Sequence, residues 1–445
     1  MNNSSINRLF KLSIPIFFSN LIIPLVGIVD TGLMGNLDNP FYLAATSIAA
    51  NFFSMLFWSF GFLRMGTVGM VSQAHGRENY KEIYNIVLRN FIFVLIISIT
   101  IILSQNYIFF LCLSIFDLSN LTETYFKDYF FIRIYSAPAE LTFYIITGLY
   151  IGLQKTKTSS VIVGLFSLSN ILISLILVVK FDLNVKGVAL GTLISAYLTS
   201  AIAIIYSFFN LSKITSNKVN FKNLINLKKL KTIFDININI FIRTVLLTFS
   251  FLWFTYQGNK ISEEIIAANA ILVNLVFLSA FILDAYAFST EGVVGYSLGK
   301  KNKKMFNDVV KNSFILSATT GLVISFIYFL SKTQIIDLMT SLENIRQLTY
   351  TFSVWLIIFP FLSSFCYQFD GIFIGASQTK ELRNAMILSV IIYILLSIYL
   401  TGLLGNHGLW MSLTLFMIFR AITLYFFLNK IYERFSSKSY AKQVD

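Results

Sequence analysis

Long apolar runs, separated by short polar stretches, recur from one end of the chain to the other. A helix needs about twenty apolar residues to cross a hydrocarbon core of roughly 30 Å, and inside lipid it satisfies its own backbone hydrogen bonds. The runs predict twelve such helices, over 12–34, 46–72, 86–114, 127–153, 158–179, 186–211, 233–257, 264–298, 308–331, 348–376, 384–404 and 407–430. The first follows Arg8 and Lys11, as the apolar core of a signal peptide would. It is too long for such a core, and no small-residue cleavage site precedes Asp38, so it is expected to stay in place as a helix.

Composition turns this pattern into an all-α polytopic membrane protein. Charged residues make up 12% of the chain, against roughly 25% in a soluble domain, while 56% are hydrophobic and Phe alone occurs 46 times. Cys112 and Cys366 both lie in apolar runs, which argues against a disulfide frame or a metal site. The net charge of +13 is best explained by topology rather than by a nucleic-acid partner. With a cytoplasmic N-terminus, the inside loops and ends hold 22 basic residues and the opposite loops 6. The inside set includes Arg77, Lys155, the run from Lys213 to Lys231, Lys300 to Lys304, and Lys438 and Lys442 of the tail. That asymmetry puts both termini in the cytoplasm by the positive-inside rule.

The chain also matches itself at one offset of 223 residues. Gly35-Asn36 falls on Gly258-Asn259, Asn51 on Asn274, and Gly76-Arg77-Glu78-Asn79 on Gly299-Lys300-Lys301-Asn302. The run GLYIGLQKTK from Gly148 to Lys157 falls on GIFIGASQTK from Gly371 to Lys380. Each half therefore holds six predicted helices, an even number that keeps the two repeats parallel. The expected division is an N-lobe over 1–211, a basic linker over 212–232, a C-lobe over 233–430 and a tail over 431–445. Parallel repeats of this kind are a transporter architecture, with the substrate path between the halves. No GxxxxGK[ST] phosphate loop is present, so the chain is not expected to hydrolyse ATP or to be an enzyme.

Ionisable residues inside spans cost roughly 2.5–3.5 kcal/mol each to insert and are functional candidates by default. The chain places Asp30, Arg64, Arg133, Glu140, Arg243, Asp284, Glu291, Asp370 and Arg420 there. Asp30 is the sharpest, deep in the first span after Pro24 and between Gly27 and Gly32. Two readings fit it: a desolvated carboxyl that holds a proton or a small cation, or an acid hydrogen-bonded to a neighbouring helix. Its repeat counterpart is Trp253, so whatever it does is asymmetric. Asn170 and Ser174 lie four apart on one helical face, and Thr192 follows a Gly187-x-x-x-Gly191 close-packing stretch. Taken alone, these three read more simply as interhelical hydrogen-bonding groups. Asp284 and Glu291 share a face of the eighth span, and their pairing with Arg243, together with Asp370, is the plain alternative to a site.

The segments PLVGIVDTGLMG, FGFLRMGTVG, YSAPAEL, LDAYAFSTEGVVG, DGIFIGASQT and GNHGLW are spread over both halves. Together they resemble the multidrug and toxic compound extrusion (MATE) family, and within it the DNA-damage-inducible protein F branch. The resemblance implies two six-helix bundles forming a V-shaped two-lobe transporter in the bacterial inner membrane. It further implies export of small organic, cationic or amphipathic compounds by antiport with H⁺ or Na⁺, with no other cofactor, from a chain expected to be a monomer.

In that family the aspartate of the first helix couples transport to the ion, which maps onto Asp30. An Asn and an Asp one turn apart in the fifth helix and a Thr in the sixth complete the cation site; Asn170 and Thr192 match. The second acid is replaced by Ser174, which weakens the case for Na⁺ more than for H⁺. Glu140, in YSAPAEL, is a candidate to compensate for it. The alternatives are a lipid-linked oligosaccharide or polysaccharide flippase of the same superfamily and a non-transporting membrane scaffold.

Overall fold

A computed structural model describes residues 3–37, 39–115, 118–214 and 226–435, all in helices and short connections. Most of the expected linker, and the tail beyond residue 435 with Lys438 and Lys442, lie outside the described residues. The helices are α1 (Asn3–Gly35), α2 (Pro40–Trp58), α3 (Phe62–Gly76), α4 (Tyr80–Leu103), α5 (Gln105–Ile115), α6 (Asn120–Arg133), α7 (Ala137–Gly152), α8 (Thr156–Leu175) and α9 (Asn184–Ile214). The second half follows with α10 (Leu227–Asn259), α11 (Glu263–Gly299), α12 (Lys303–Met339), α13 (Glu343–Gly375), α14 (Thr379–Leu404) and α15 (Asn406–Tyr432).

Among the described residues, 11 helical segments are long and apolar enough to cross a membrane. The twelfth expected span is present as α6 and α7, but Glu123, Lys127, Asp128, Arg133 and Glu140 lower its apolar character. Three of the expected spans are broken. Single 3₁₀ turns, Ser59–Gly61 and Ile134–Ser136, separate α2 from α3 and α6 from α7. Pro138 follows the second turn, in the first turn of a helix, where its missing N–H is tolerated. Ser104 parts α4 from α5. Large apolar side chains face outwards all along the chain (Leu103 is 79% exposed, Phe426 71%), while serines, threonines, asparagines and arginines fill the interior. That distribution is the one lipid selects.

The helices reproduce the repeat. Glu78 and Lys301 stand 223 residues apart, as do Gln154 and Ser377, and all four take left-handed backbone with φ of 59°, 55°, 60° and 53°. At each turn the following residue closes back onto the helix, with Asn79 N–H donating to Ala74 O at 3.0 Å and Asn302 N–H to Ser297 O at 3.0 Å. Asn79 and Asn302 then cap α4 and α12 by accepting from Glu82 and Met305 N–H. Asp182 and Gly405 form another such pair, with φ of 52° and 57°.

Helix contacts repeat as well. A Cβ on Gly148 would lie 2.7 Å from Arg64 O, and one on Gly371 would lie 2.6 Å from Ala287 O, at the equivalent position. Gly152 is backed by Val68 and Val71 of α3, and Gly375 by the backbone of Glu291 in α11. Small residues thus bring α7 onto α3 and α13 onto α11 at backbone distance, as helix packing in lipid requires.

Two compact units form: Phe18–Phe234, and Met1–Phe17 together with Asp235–Asp445. They do not divide where the repeat does. The start of α1 packs within the second unit, where Leu9 and Ile16 are buried, Ser13 and Ser289 hydroxyls are 2.7 Å apart and Arg8 lies 5.2 Å from the centre of the Tyr296 ring. The start of α10 belongs to the first unit, where Lys229 pairs with Glu82 at 3.1 Å.

These contacts predict an asymmetry among glycines. Gly371→Ala should destabilise the protein by about 1–3 kcal/mol through overpacking. Gly164→Ala, with no neighbour within 4 Å, should be neutral or slightly stabilising. Thermal unfolding of the two detergent-solubilised variants against the parent measures the contrast.

Candidate functional site

Within the first unit, polar groups gather on α1, α6, α7, α8 and α9. Asp30 is 7% exposed and its Oδ1 has no hydrogen-bond partner. Asn170 and Ser174 on α8 are wholly buried, and neither the Asn170 amide nor the Ser174 hydroxyl has a partner. Ser174 lies directly against Gly191, with its hydroxyl where a side chain on Gly191 would have to go. That contact holds α8 and α9 together one residue before Thr192, whose hydroxyl donates to Val188 O at 3.1 Å. Beyond Asp30, a cavity of about 500 Å³ is lined by Val29, Gly32 and Leu33 of α1, by Asn36 just after it, and by Val178, Val179 and Asp182 after α8.

The second half fills the equivalent positions differently. Trp253, the counterpart of Asp30, donates its indole N–H to Ser397 at 2.8 Å. Ser397 is the counterpart of Ser174, and Tyr393 that of Asn170. Tyr393 is wholly buried and packs against Phe416, with ring centres 5.1 Å apart. Two aromatic side chains thus stand where the first half has a carboxyl and an amide.

A charge cluster adjoins Asp30. Arg133, at the end of α6, pairs with Glu140 in the first turn of α7. Ser136, in the 3₁₀ turn between them, donates to Glu140 at 3.0 Å. The Arg133 guanidinium also lies over the rings of Phe53 and Phe57, 5.5 and 5.1 Å from their centres. Its charge acts on Asp30, and the Tyr129 side chain stands in the fields of Arg133, Asp30 and Glu140. Tyr144 stands in those of Glu140, Arg64 and Arg133. Glu140 is therefore engaged by a cation.

In the second unit Asp370 is held by two arginines, Arg243 of α10 and Arg420 of α15, the latter at 2.7 Å. All three are at least nine-tenths buried. Asp284 is half-buried and acts electrostatically on Arg420 and Tyr367. Glu291, two turns along α11, is 1% exposed and backs Gly375. The GNHGLW segment forms a closed network: Asn269 and Asn406 exchange hydrogen bonds at 2.8 and 2.9 Å, and Trp410 donates to Asn269 at 2.8 Å. Among the described residues no group of three His, Cys, Asp or Glu side chains has the arrangement of a metal site.

The profile of the MatE family matches residues 15–176 and again 240–400, once in each repeat. The chain belongs to the MatE family. It is a multi-pass membrane transporter rather than an enzyme. It is 32% identical to DNA damage-inducible protein F of Escherichia coli (strain K12), over 95% of this chain and 91% of that one. It is 24% identical to multidrug export protein MepA of Staphylococcus aureus (strain bovine RF122 / ET3-1), over 91% of this chain and 89% of that one. The fold matches the outward-facing structure of a multidrug resistance MATE family transporter of the MOP superfamily with a TM-score of 0.85. That match covers 97% of this chain and 96% of the other at 16% identity, and so shows the shared fold.

The triad around Asp370 predicts a large stability effect. Asp370→Asn leaves two buried guanidiniums without their counter-charge and should cost about 3–5 kcal/mol. Chemical denaturation of the purified protein checks it, and Arg243→Gln added to Asp370→Asn should recover part of the loss.

Proposed function

We propose that the chain exports small organic cations or amphipathic compounds across a bacterial inner membrane in exchange for protons, with Asp30 carrying the coupling proton. The observation that carries this reading is an acid buried in a span with one oxygen unpartnered and a guanidinium, Arg133, acting on it. A carboxyl in that setting exchanges a proton without needing further ligands. A sodium ion needs several oxygens, and a guanidinium offers only N–H donors, so the neighbour of Asp30 opposes Na⁺ more than H⁺. Ser174 in place of a second acid points the same way. Asn170, Ser174 and Thr192, buried on α8 and α9 of the same unit, are assigned here as the neutral groups that serve the protonated carboxyl.

Each cycle then moves one proton inward on Asp30 and one substrate outward. Asp370 is shared by Arg243 and Arg420, and with Asp284 and Glu291 these groups hold the second half together rather than carry the ion. The equivalent of the Asp30 position there is closed by Trp253, which leaves the coupling chemistry in the first half. The export activity named for the Staphylococcus aureus relative supports an organic substrate. The 22-to-6 distribution of basic residues supports cytoplasmic termini, and the presence of both repeats in one chain supports a monomer.

In proteoliposomes, ethidium efflux should follow an imposed pH gradient and ignore an imposed Na⁺ gradient. Asp30→Asn should reduce pH-driven efflux at least about tenfold while leaving the protein folded by size-exclusion chromatography. Full activity of Asp30→Asn, or efflux driven by Na⁺ alone, would overturn the proposal.

A further inference from the structure

We propose that the cavity beyond Asp30 is a subsite for an organic cation, with Asp182 as its counter-charge and the α1 face around Gly32 as its apolar wall. This rests on the reading that the chain exports organic cations, and it adds where in the first unit one of them is held.

The cavity lies wholly within the unit Phe18–Phe234, and its volume of about 500 Å³ suits a drug-sized ligand. Val29, Gly32 and Leu33 follow an i, i+3, i+4 spacing and so share one face of α1. A Cβ on Gly32 would meet nothing within 4 Å, so the space reaches the helix backbone. The facing wall departs from α-helical geometry. Ile176–Lys180 is a π-helix, a form that recurs at functional sites, and Leu183 N–H closes it by donating to Leu177 O at 3.1 Å. Val178 is pinned there by α9, since a Cβ on Gly187 would lie 2.9 Å from it. Packing thus holds this wall in place.

The polar groups that line the cavity offer acceptors. Asp182 is exposed, and among the described residues none forms an ion pair with its carboxylate. Lys186, four residues on, is paired with Asp128 at 3.4 Å, and the lining does not include Lys180. Asn36 donates its amide N–H to Gly32 O at 2.7 Å, which leaves its Oδ1 to accept. A carboxylate and an amide oxygen among valines and leucines suit a ligand with a positive charge on an apolar body.

The repeat supplies an internal comparison. The counterpart of Asp182 is Gly405, and both take left-handed backbone. Glycine meets that demand without steric cost, so the turn alone does not call for a carboxylate. The counterparts of Leu33 and Leu37 are Tyr256 and Lys260, and the Lys260 ammonium lies over the Tyr256 ring, 4.6 Å from its centre. The second half therefore has a cation of its own at this place and no acid. The first half has the acid and open space. The charge it lacks is the one an organic cation brings.

Ethidium monoazide, a photoreactive organic cation, gives the location. Irradiated with the full chain in detergent micelles, it should label segments 29–37 and 176–183, read by peptide mass spectrometry. Label confined to other segments overturns the subsite.

Affinity gives the chemistry. Asparagine tolerates the left-handed backbone, so Asp182→Asn should fold and should weaken ethidium binding about fivefold, a loss that shrinks at high salt. Binding of Nile red, an uncharged amphipathic dye, should not change in that variant, and Asp182→Glu should keep most of the ethidium affinity. Equal loss of both dyes in Asp182→Asn overturns the role of the carboxylate. Gly32→Leu fills the space and should weaken both dyes about tenfold. Should it fail to fold, Gly32→Ala is expected to weaken both by less. Ethidium affinity unchanged in Asp182→Asn and in the Gly32 variant overturns the proposal.

Ethidium efflux by the parent protein under a pH gradient separates the two ideas. Its absence defeats the export reading and the subsite with it. Efflux by the parent, with ethidium affinity unmoved in the variants, defeats only the subsite.

Discussion

Between helices in lipid there is no hydrophobic drive, so association depends on how closely backbones approach. In this chain that approach rests on glycines repeated at one spacing: Gly148 and Gly152 on the first half, Gly371 and Gly375 on the second. They press α7 onto α3 and α13 onto α11, and they fix the register of each pair. Arg64 offers its backbone to Gly148 while its side chain contributes to the charge cluster around Tyr144. Asp370 immediately precedes Gly371, so the contact that sets α13 also presents the acid to Arg243 and Arg420. The charged groups are where they are because the backbones meet where they do.

Given one scaffold used twice, the halves differ by what the repeat does not constrain. Turns and glycine contacts recur at 223 residues, down to left-handed residues at Glu78 and Lys301. The charged side chains inside the spans do not recur, although basic residues of the loops do, as Lys157 and Lys380 show. Where the first half has Asp30, Asn170 and Ser174, the second has Trp253, Tyr393 and Ser397, with the indole bonded to the serine. An indole and a phenol fill that position without a charge. The second half places its charges elsewhere, as a compact ion triad in which one carboxylate is shared by two guanidiniums.

The twelve spans and the doubling were legible in the sequence because both are periodic: apolar runs of membrane length, and one offset shared by several matches. The breaks at Ser59–Gly61, Ile134–Ser136 and Ser104 were not, since each lies inside an apolar run and the period does not change across it. Asp30, Asn170, Ser174 and Thr192 were visible as polar groups in spans, and burial of all four agrees with that. Composition cannot tell an interior face from a lipid face, so the engagement of Glu140 by Arg133 needed three dimensions. Pairing of second-half acids with Arg243 was one of the readings the sequence offered, but that Asp370 takes both Arg243 and Arg420, 127 and 50 residues away, needed three dimensions. The division into compact units also escaped, because the start of α1 packs with elements more than two hundred residues distant.

The contact between Ser174 and Gly191 bears on how this chain can change over generations. A serine fits there because its hydroxyl occupies the space that Gly191 leaves. An aspartate in its place brings further atoms and a charge into the tightest point between α8 and α9, with no cation beside it to offset either. Restoring an acid at that position therefore takes a coordinated change in two helices. Single substitutions pass through a less stable protein, so volume as much as charge keeps a second acid out of that position.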